Sequence, residues 1–280
     1  MERLTFVDAN PRHETDPVAV AECGGFRVKI VRDVLAVNPW EAGDSEPPLA
    51  VASYGYGGSP NVTFYDSAGG AGLLDPFARF SSDALLRRHM QAIARALDID
   101  PADVDCEARQ QMRDYGGNIT DIKRDIFIDV FHGMRAGDQF DAAAALYALL
   151  GIEALSTCSR GYSQGDYVDL LLVATPEWAA KVGAPRDSHA CQLKHAAELY
   201  GAWAWGDVYG YVIEDSDGEH VDSCFGFYTS DPTGAGFEES GMAEYAMPSL
   251  KSAIRERFER QAREIEAARP DMYSVEESTR

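Results

Sequence analysis

The densest run of reactive and polar side chains lies between residues 156 and 166, just before an apolar stretch. A cysteine attacks as its thiolate, so Cys158 would need Arg160 to lower its pKa and His189 or His195 to act as base. The candidate catalytic residues of this run are Cys158, Arg160, Ser163, Gln164 and Asp166. The same residue types also form ordinary loops in which serine and aspartate side chains bond backbone N–H groups. The spacing brings neither histidine to Cys158, so the loop interpretation is favoured.

Cys191 and His195 have the spacing of metal ligands, because residues four apart share one face of a helix. Zinc binds both residue types, and His220 or Cys224 would extend the ligand set. These last two residues lie about 13 Å apart along a strand, which is too far for one ion. We therefore expect no metal and no cofactor, and we interpret the five cysteines as small apolar residues in a reducing compartment.

Acidic residues dominate the window from His195 to Leu250, which contains no lysine or arginine. One interpretation is a solvated face, or a face neutralised by arginines of the C-terminal helix. The other is a surface that occupies a basic groove on a partner protein, as a mimic of DNA does. The candidate partner-binding residues are Glu214, Asp215, Asp217, Glu219, Asp222, Glu238 and Glu239. A calcium site at 215–219 is disfavoured because the segment lacks the length and distal glutamate of a 12-residue calcium loop.

Hydrophobic periodicity predicts the elements that would position these groups. Alternating residues around Cys23-Gly24-Gly25 predict a hairpin, and the Asp217-Gly218 pair predicts a second one between 208–213 and 221–228. Helical spacing follows between residues 82 and 150, with Ser82 and Thr120 as expected N-caps. The apolar run 167–174 predicts a strand buried on both faces. A long helix is predicted from Pro248 to Ala268, because apolar residues recur at helical spacing and Pro270 stops the pattern.

These elements predict an α+β fold rather than a doubly wound parallel sheet, because strands and helices do not alternate regularly. The expected organisation is a β-rich N-terminal unit over 1–78, a helical layer over 79–152 and an α+β C-terminal domain over 153–270. The C-terminal domain would contain an antiparallel hairpin and the long terminal helix. Residues 271–280 are expected to fray.

The overall charge excludes several classes of partner. The chain has 280 residues, with 46 acidic against 25 basic side chains and a formal net charge of −21. Such a surface repels phosphate, so direct nucleic-acid binding and adhesion to anionic membranes are disfavoured. The N-terminus lacks the pattern of a signal peptide and no apolar run reaches about 18 residues, so we expect a cytoplasmic protein.

Two segments resemble a family of uncharacterised proteins from bacteriophages, plasmids and other mobile elements. They are SRGYSQGDYVDLLLVATPEW at 159–178 and AWAWGDVYGYVIED with DSCFGFY within 202–228. The resemblance covers only the C-terminal third, and it implies a setting without assigning any catalytic residue. Small acidic accessory proteins of such elements often act on host defence.

Two hypotheses for the function follow. The first is a non-catalytic accessory protein that binds a basic protein surface, such as that of a host defence nuclease of the restriction or CRISPR type. The second is an enzyme, a transferase or hydrolase, with a pocket at Cys158 to Asp166.

Overall fold

The computed structural model describes residues 4–41, 47–56, 63–68, 75–80, 82–160 and 165–268. The fold is α+β, as predicted, with two antiparallel sheets and helices packed on them. The chain forms two compact units: a terminal unit of residues 1–36 and 206–280, and a central unit of residues 37–205. This division differs from the three predicted segments, because the first hairpin pairs with strands that lie far away in the sequence.

The terminal unit contains a five-stranded antiparallel sheet in the order β1-β2-β3-β8-β9. The glycine hairpin is confirmed, since Gly24 and Gly25 take φ values of 61° and 80°, a region that glycine enters without strain. The second predicted hairpin is confirmed as well, and its first strand pairs directly with β3. The strands are β1 (Val7–Asp8), β2 (Pro17–Cys23), β3 (Phe26–Arg32), β8 (Val208–Glu214) and β9 (His220–Tyr228).

Two helices cover one face of this sheet: α7 (Ala235–Glu239) and α8 (Met242–Ala267). Met242, Ala246 and Leu250 of α8 pack on Ile30 and other inward-facing strand residues. The long helix is therefore confirmed, but its predicted start was wrong by six residues: Pro248 lies inside the helix. Three buried positions before or just after that proline hold the first turns against the sheet, and this packing outweighs the preference of proline for a helix start.

The central unit contains a four-stranded antiparallel sheet in the order β5-β4-β7-β6. Val168, Leu170 and Leu172 point to one side of β7, whereas Leu171 and Val173 point to the other, and all five are buried. This confirms the strand predicted to be buried on both faces. The strands are β4 (Leu49–Gly55), β5 (Thr63–Ala68), β6 (Ala154–Arg160) and β7 (Tyr167–Val173).

Helices cover both faces of the central sheet. Four of them form the predicted helical layer, in which Phe127, Phe131 and Leu146 are fully buried. Ser82 caps the first as predicted, but the third is capped by Asn118, whose side chain accepts from Thr120 N, so the predicted Thr120 cap was wrong by two residues. The layer consists of α1 (Asp83–Ala96), α2 (Pro101–Tyr115), α3 (Ile119–Gly133) and α4 (Ala136–Leu149), and the opposite face carries α5 (Pro176–Val182) and α6 (His189–Ala204).

Within the described ranges, no helix is both long enough and apolar enough to cross a membrane. The predicted frayed tail at 271–280 lies outside those ranges.

Candidate functional site

Cys158 lies on the edge strand β6, directly opposite Asp169 of β7, on the face of the sheet that α4 covers. The residue is exposed as a whole, but burial of its sulfur and a hydrogen bond with Asp169 raise the thiol pKa to about 11. Arg160 acts in the opposite direction and is outweighed. The predicted lowering of the Cys158 pKa was therefore wrong, and the thiol is protonated at neutral pH.

Neither predicted histidine base can reach Cys158, because both belong to α6 on the opposite face of the sheet. His189 is buried, with its Nε2 atom 3.2 Å from the carbonyl oxygen of Ala184. His195 is exposed on the outer side of the helix. The predicted cysteine–histidine pair was therefore wrong, since a four-stranded sheet separates its members.

The remaining catalytic candidates do not complete a catalytic group. Arg160 is exposed at the end of β6, and Asp166 is partly buried next to the start of β7. Ser163 and Gln164 lie outside the described residues. Burial is also the first cause of the raised pKa of Asp169, to which the charges of Asp141 and Asp138 add. This corner of the central unit therefore presents a protonated thiol among carboxyl groups, which is unsuited to nucleophilic attack.

The weak metal candidates Cys191 and His195 are both exposed on α6. Across the described part of the chain, no three histidine, cysteine, aspartate or glutamate residues form a group that could hold a metal ion. The acidic segment 215–219 likewise forms no such group.

Three of the seven predicted partner-binding acids have structural roles in the terminal unit. Glu214 forms an ion pair with Lys29 at 2.5 Å, on the sheet face that does not carry α8. Asp215 shapes the hairpin turn, because its Oδ1 atom accepts from the backbone N–H groups of Asp217 at 2.9 Å and Glu219 at 3.0 Å. The Asp222 carboxylate accepts a hydrogen bond from the Tyr211 hydroxyl at 2.9 Å, on the face of the sheet that α8 covers.

Hydrogen bonds from two elements hold the Asp222 carboxylate in place. A hydrogen bond from Ser249 of α8 is the first cause that lowers its pKa, and the bond from Tyr211 adds to it. Its charge therefore links β9 to α8 inside the unit. Glu214 and Asp222 lie on opposite faces of the sheet, so the seven acids do not form one surface.

The other four predicted acids are exposed: Asp217 and Glu219 at the hairpin tip, and Glu238 and Glu239 on α7. Glu244, at the start of α8, is exposed as well. Among the described residues, Asp217, Glu219 and Glu239 take part in no ion pair. We call these five residues the acidic rim. It consists of the four candidates that are left once the structural acids are removed, together with Glu244. Asp217 and Glu219 lie at the hairpin tip, whereas the other three follow the opposite end of β9.

The arginines of α8 form no direct ion pair with this rim within the described residues. Arg257 donates to the carbonyl oxygen of Gly25 at 3.0 Å and lies over the ring of Phe26, 5.8 Å from its centroid. No arginine of α8 is paired with an acid of the window in the part of the chain that the structure describes. The predicted alternative, partial neutralisation by the terminal helix, therefore gains no support from a direct ion pair and stays a prediction.

Sequence reasoning missed a polar cluster among aromatic rings in the central unit. The Oδ2 atom of Asp66 on β5 accepts from the hydroxyl of Tyr200 at 2.9 Å and from Asn38 Nδ2 at 2.8 Å. The ring of Trp40 stacks on that of Tyr200 with centroids 3.6 Å apart. These residues are spread over 163 positions of sequence, so tertiary packing of a loop, a strand and a helix brings them together. Asn38, just before Pro39-Trp40, was the one local indication of a fixed turn here, because its side-chain oxygen accepts a hydrogen bond from Trp40 N at 2.9 Å.

No family model, no curated protein and no solved structure matches this chain.

Proposed function

We propose that this protein is a non-catalytic accessory protein of a bacteriophage or other mobile element, and that it binds a basic protein surface through the acidic rim. The partner class that fits is a nucleic-acid-binding host protein, with a defence nuclease as the first candidate. The observation that carries the proposal is the exposure of Asp217, Glu219 and Glu239 without an ion-pair partner among the described residues.

Exposed, unpaired carboxylates favour an intermolecular role on physical grounds. Like charges carried by one fold repel one another, and a basic partner relieves that repulsion and releases counterions. The net charge of −21 adds long-range attraction for basic surfaces and speeds their encounter. A nuclease groove that binds phosphates offers the required arrangement of arginine and lysine side chains.

The geometry at Cys158 argues against the rival enzyme hypothesis. A thiol with a pKa of about 11 is almost wholly protonated at pH 7, and both histidines lie across the sheet. The binding hypothesis needs no such activation, because it depends only on surface charge.

The test is direct binding to a panel of purified restriction and RNA-guided nucleases, measured by biolayer interferometry. The triple variant Asp217→Lys, Glu219→Lys, Glu239→Lys reverses the unpaired rim acids without touching Glu214, Asp215 or Asp222. The matched control, Asp103→Lys, Glu107→Lys, Asp114→Lys, makes the same charge change on exposed positions of α2.

We expect at least one nuclease to bind, and the rim variant to bind at least about tenfold more weakly than the control variant. Equal affinity of the two variants would show that only bulk charge matters. Absence of binding across the panel would contradict the assignment of a nuclease as the partner.

A further inference from the structure

We propose that the central unit holds a second binding site, for an organic cation that carries a hydrogen-bond acceptor, at the cluster of Asp66, Trp40, Tyr54, Tyr56 and Tyr200. The ligand carries a guanidinium or ammonium group and a carbonyl group in the same molecule, as an arginine or lysine residue does. The site belongs to a different unit from the acidic rim and does not depend on the proposed function.

The carboxylate of Asp66 supplies the first part of the argument. It is partly buried, and its donors are all neutral: the Tyr200 hydroxyl, the Asn38 amide and the backbone N–H of Ser67. No lysine, arginine or histidine pairs with it among the residues that the structure describes. A negative charge withdrawn from water and held only by neutral groups gains most from a cation.

A second carboxylate points to the same ligand. Glu41 is exposed one residue after Trp40, and its charge helps to raise the pKa of the Tyr200 hydroxyl, after burial as the first cause. The two carboxylates therefore act on the same group of rings. Their combined negative charge exceeds the positive charge of one monovalent cation.

The aromatic rings supply faces that attract a cation. Tyr54 lies 6.3 Å from Tyr200 and 6.2 Å from Tyr56, measured between ring centroids, and the rings of Tyr54 and Tyr56 are nearly parallel at 5°. Tyr56 is 48% exposed, so the cluster opens to solvent on that side. The negative face of an aromatic ring stabilises a nearby guanidinium or ammonium, more strongly where water is excluded. Trp40 and Tyr200 stack on each other, so one face of each of these two rings is already covered.

A buried donor without an acceptor supplies the last part of the argument. Trp40 is only 8% exposed, and its Nε1 atom has no hydrogen-bond partner among the described residues. Buried indole N–H groups nearly always have an acceptor. A ligand that places a carbonyl oxygen there while its cation lies near Asp66 satisfies both groups, which is why the ligand needs an acceptor as well as a charge.

The decisive comparison uses the full chain and two probes of equal shape. N-acetyl-arginine amide is titrated by calorimetry against N-acetyl-citrulline amide, its neutral isostere. We expect binding of the arginine compound and at least about tenfold weaker binding of the citrulline compound. Equal affinities, or no binding of either compound at millimolar concentration, would overturn the proposal, and this comparison needs no variant to fold.

Two variants assign the binding to this cluster. Asp66→Asn removes the charge but keeps an acceptor for Tyr200, and we expect it to lose about tenfold in affinity for the arginine compound. Asp222→Asn is the matched control, because Asp222 also accepts a tyrosine hydroxyl at 2.9 Å, in the terminal unit. Equal effects of the two substitutions would overturn the assignment.

Trp40→Phe removes the unpaired indole N–H and keeps an aromatic ring that can stack on Tyr200. We expect it to weaken binding of the arginine compound and to leave binding of methylguanidine, which has no carbonyl, unchanged. A loss of the same size for both probes would contradict the role of Nε1.

Comparison with a Gly-Arg-Gly peptide capped at both ends separates the two sources of the ligand. Tighter binding of the peptide identifies an arginine within a protein chain, and equal affinity identifies a free small molecule.

Discussion

At the residue scale, hydrogen-bond partners rather than residue types decide what each candidate group can do. The sequence suggests that Arg160 activates Cys158, but burial and then Asp169 outweigh Arg160 and raise the thiol pKa. Asp215 and Asp217 look equivalent in the sequence, yet one builds the turn and the other is exposed. The sequence could predict these residues as candidates, but it could not predict which partner each one would meet across the sheet.

Alkylation of Cys158 tests the protonated-thiol interpretation. Because the thiolate reacts and the thiol does not, we expect the alkylation rate to rise with pH to a midpoint of about 11. Asp169→Asn removes a charge that stabilises the thiol form, so it should lower the midpoint and speed alkylation at pH 8. Mass spectrometry of the Cys158 peptide measures the rate, with the exposed Cys106 as internal reference. An unchanged midpoint in the variant would rule out Asp169 as a cause.

Ser249→Ala tests the bond that fixes Asp222. The folded-state pKa of Asp222 is lowered, so its stabilisation is present above the unfolded-state pKa and is lost as pH falls through the folded one. We expect the variant to lower the free energy of unfolding by about 1 to 2 kcal/mol at pH 7. The loss should shrink in acid. Urea unfolding at several pH values measures it, and Ser252→Ala, at an exposed position of the same helix, is the control.

At the element scale, local patterns predicted most strands and helices, while tertiary packing set the boundaries. The hairpins were predictable because glycine and aspartate–glycine turns act over a few residues. The start of α8 was not, since it depends on Met242 and Ala246 meeting the sheet. The apolar pattern of α8 also continues beyond its packing: Phe258 is 63% and Ile265 is 69% exposed.

Alanine substitutions along α8 test where its packing ends. Leu250 is fully buried, so Leu250→Ala should cost about 2 to 5 kcal/mol of unfolding free energy. Ile265→Ala removes an exposed side chain and should change stability by no more than about 0.5 kcal/mol. Chemical denaturation of both variants provides the comparison. Similar losses would show that the end of the helix is packed after all.

Gly25→Ala tests the contact between the glycine hairpin and α8. A Cβ atom there would lie 2.1 Å from the Arg257 guanidinium, whereas one at Gly218 meets nothing within 4 Å. Both glycines have positive φ, at 80° and 83°, so each alanine carries a backbone strain of about 1 kcal/mol. We expect Gly25→Ala to lose about 1 kcal/mol more, because Arg257 must leave the Gly25 carbonyl. Equal thermal shifts of the two variants would contradict this contact.

At the scale of the whole molecule, the α+β class could be predicted from the sequence, but the division into units could not. β3 and β8 pair although they are separated by the entire central unit, and no local pattern encodes that pairing. In the central unit, a contact between a strand and a helix far apart in the sequence likewise brings Asp66 close to Tyr200. Internal bonds hold three of the seven candidate acids, which leaves the acidic rim as the candidate binding surface.

The most direct test of this account is competition between the protein and DNA for a nuclease that binds it. If the acidic rim occupies the basic groove, increasing concentrations of duplex DNA should displace the protein completely, and the apparent affinity should fall in proportion to DNA concentration. Fluorescence anisotropy of the labelled protein follows the displacement. A ternary complex with unchanged affinity would contradict the claim that the rim binds the surface used by nucleic acid.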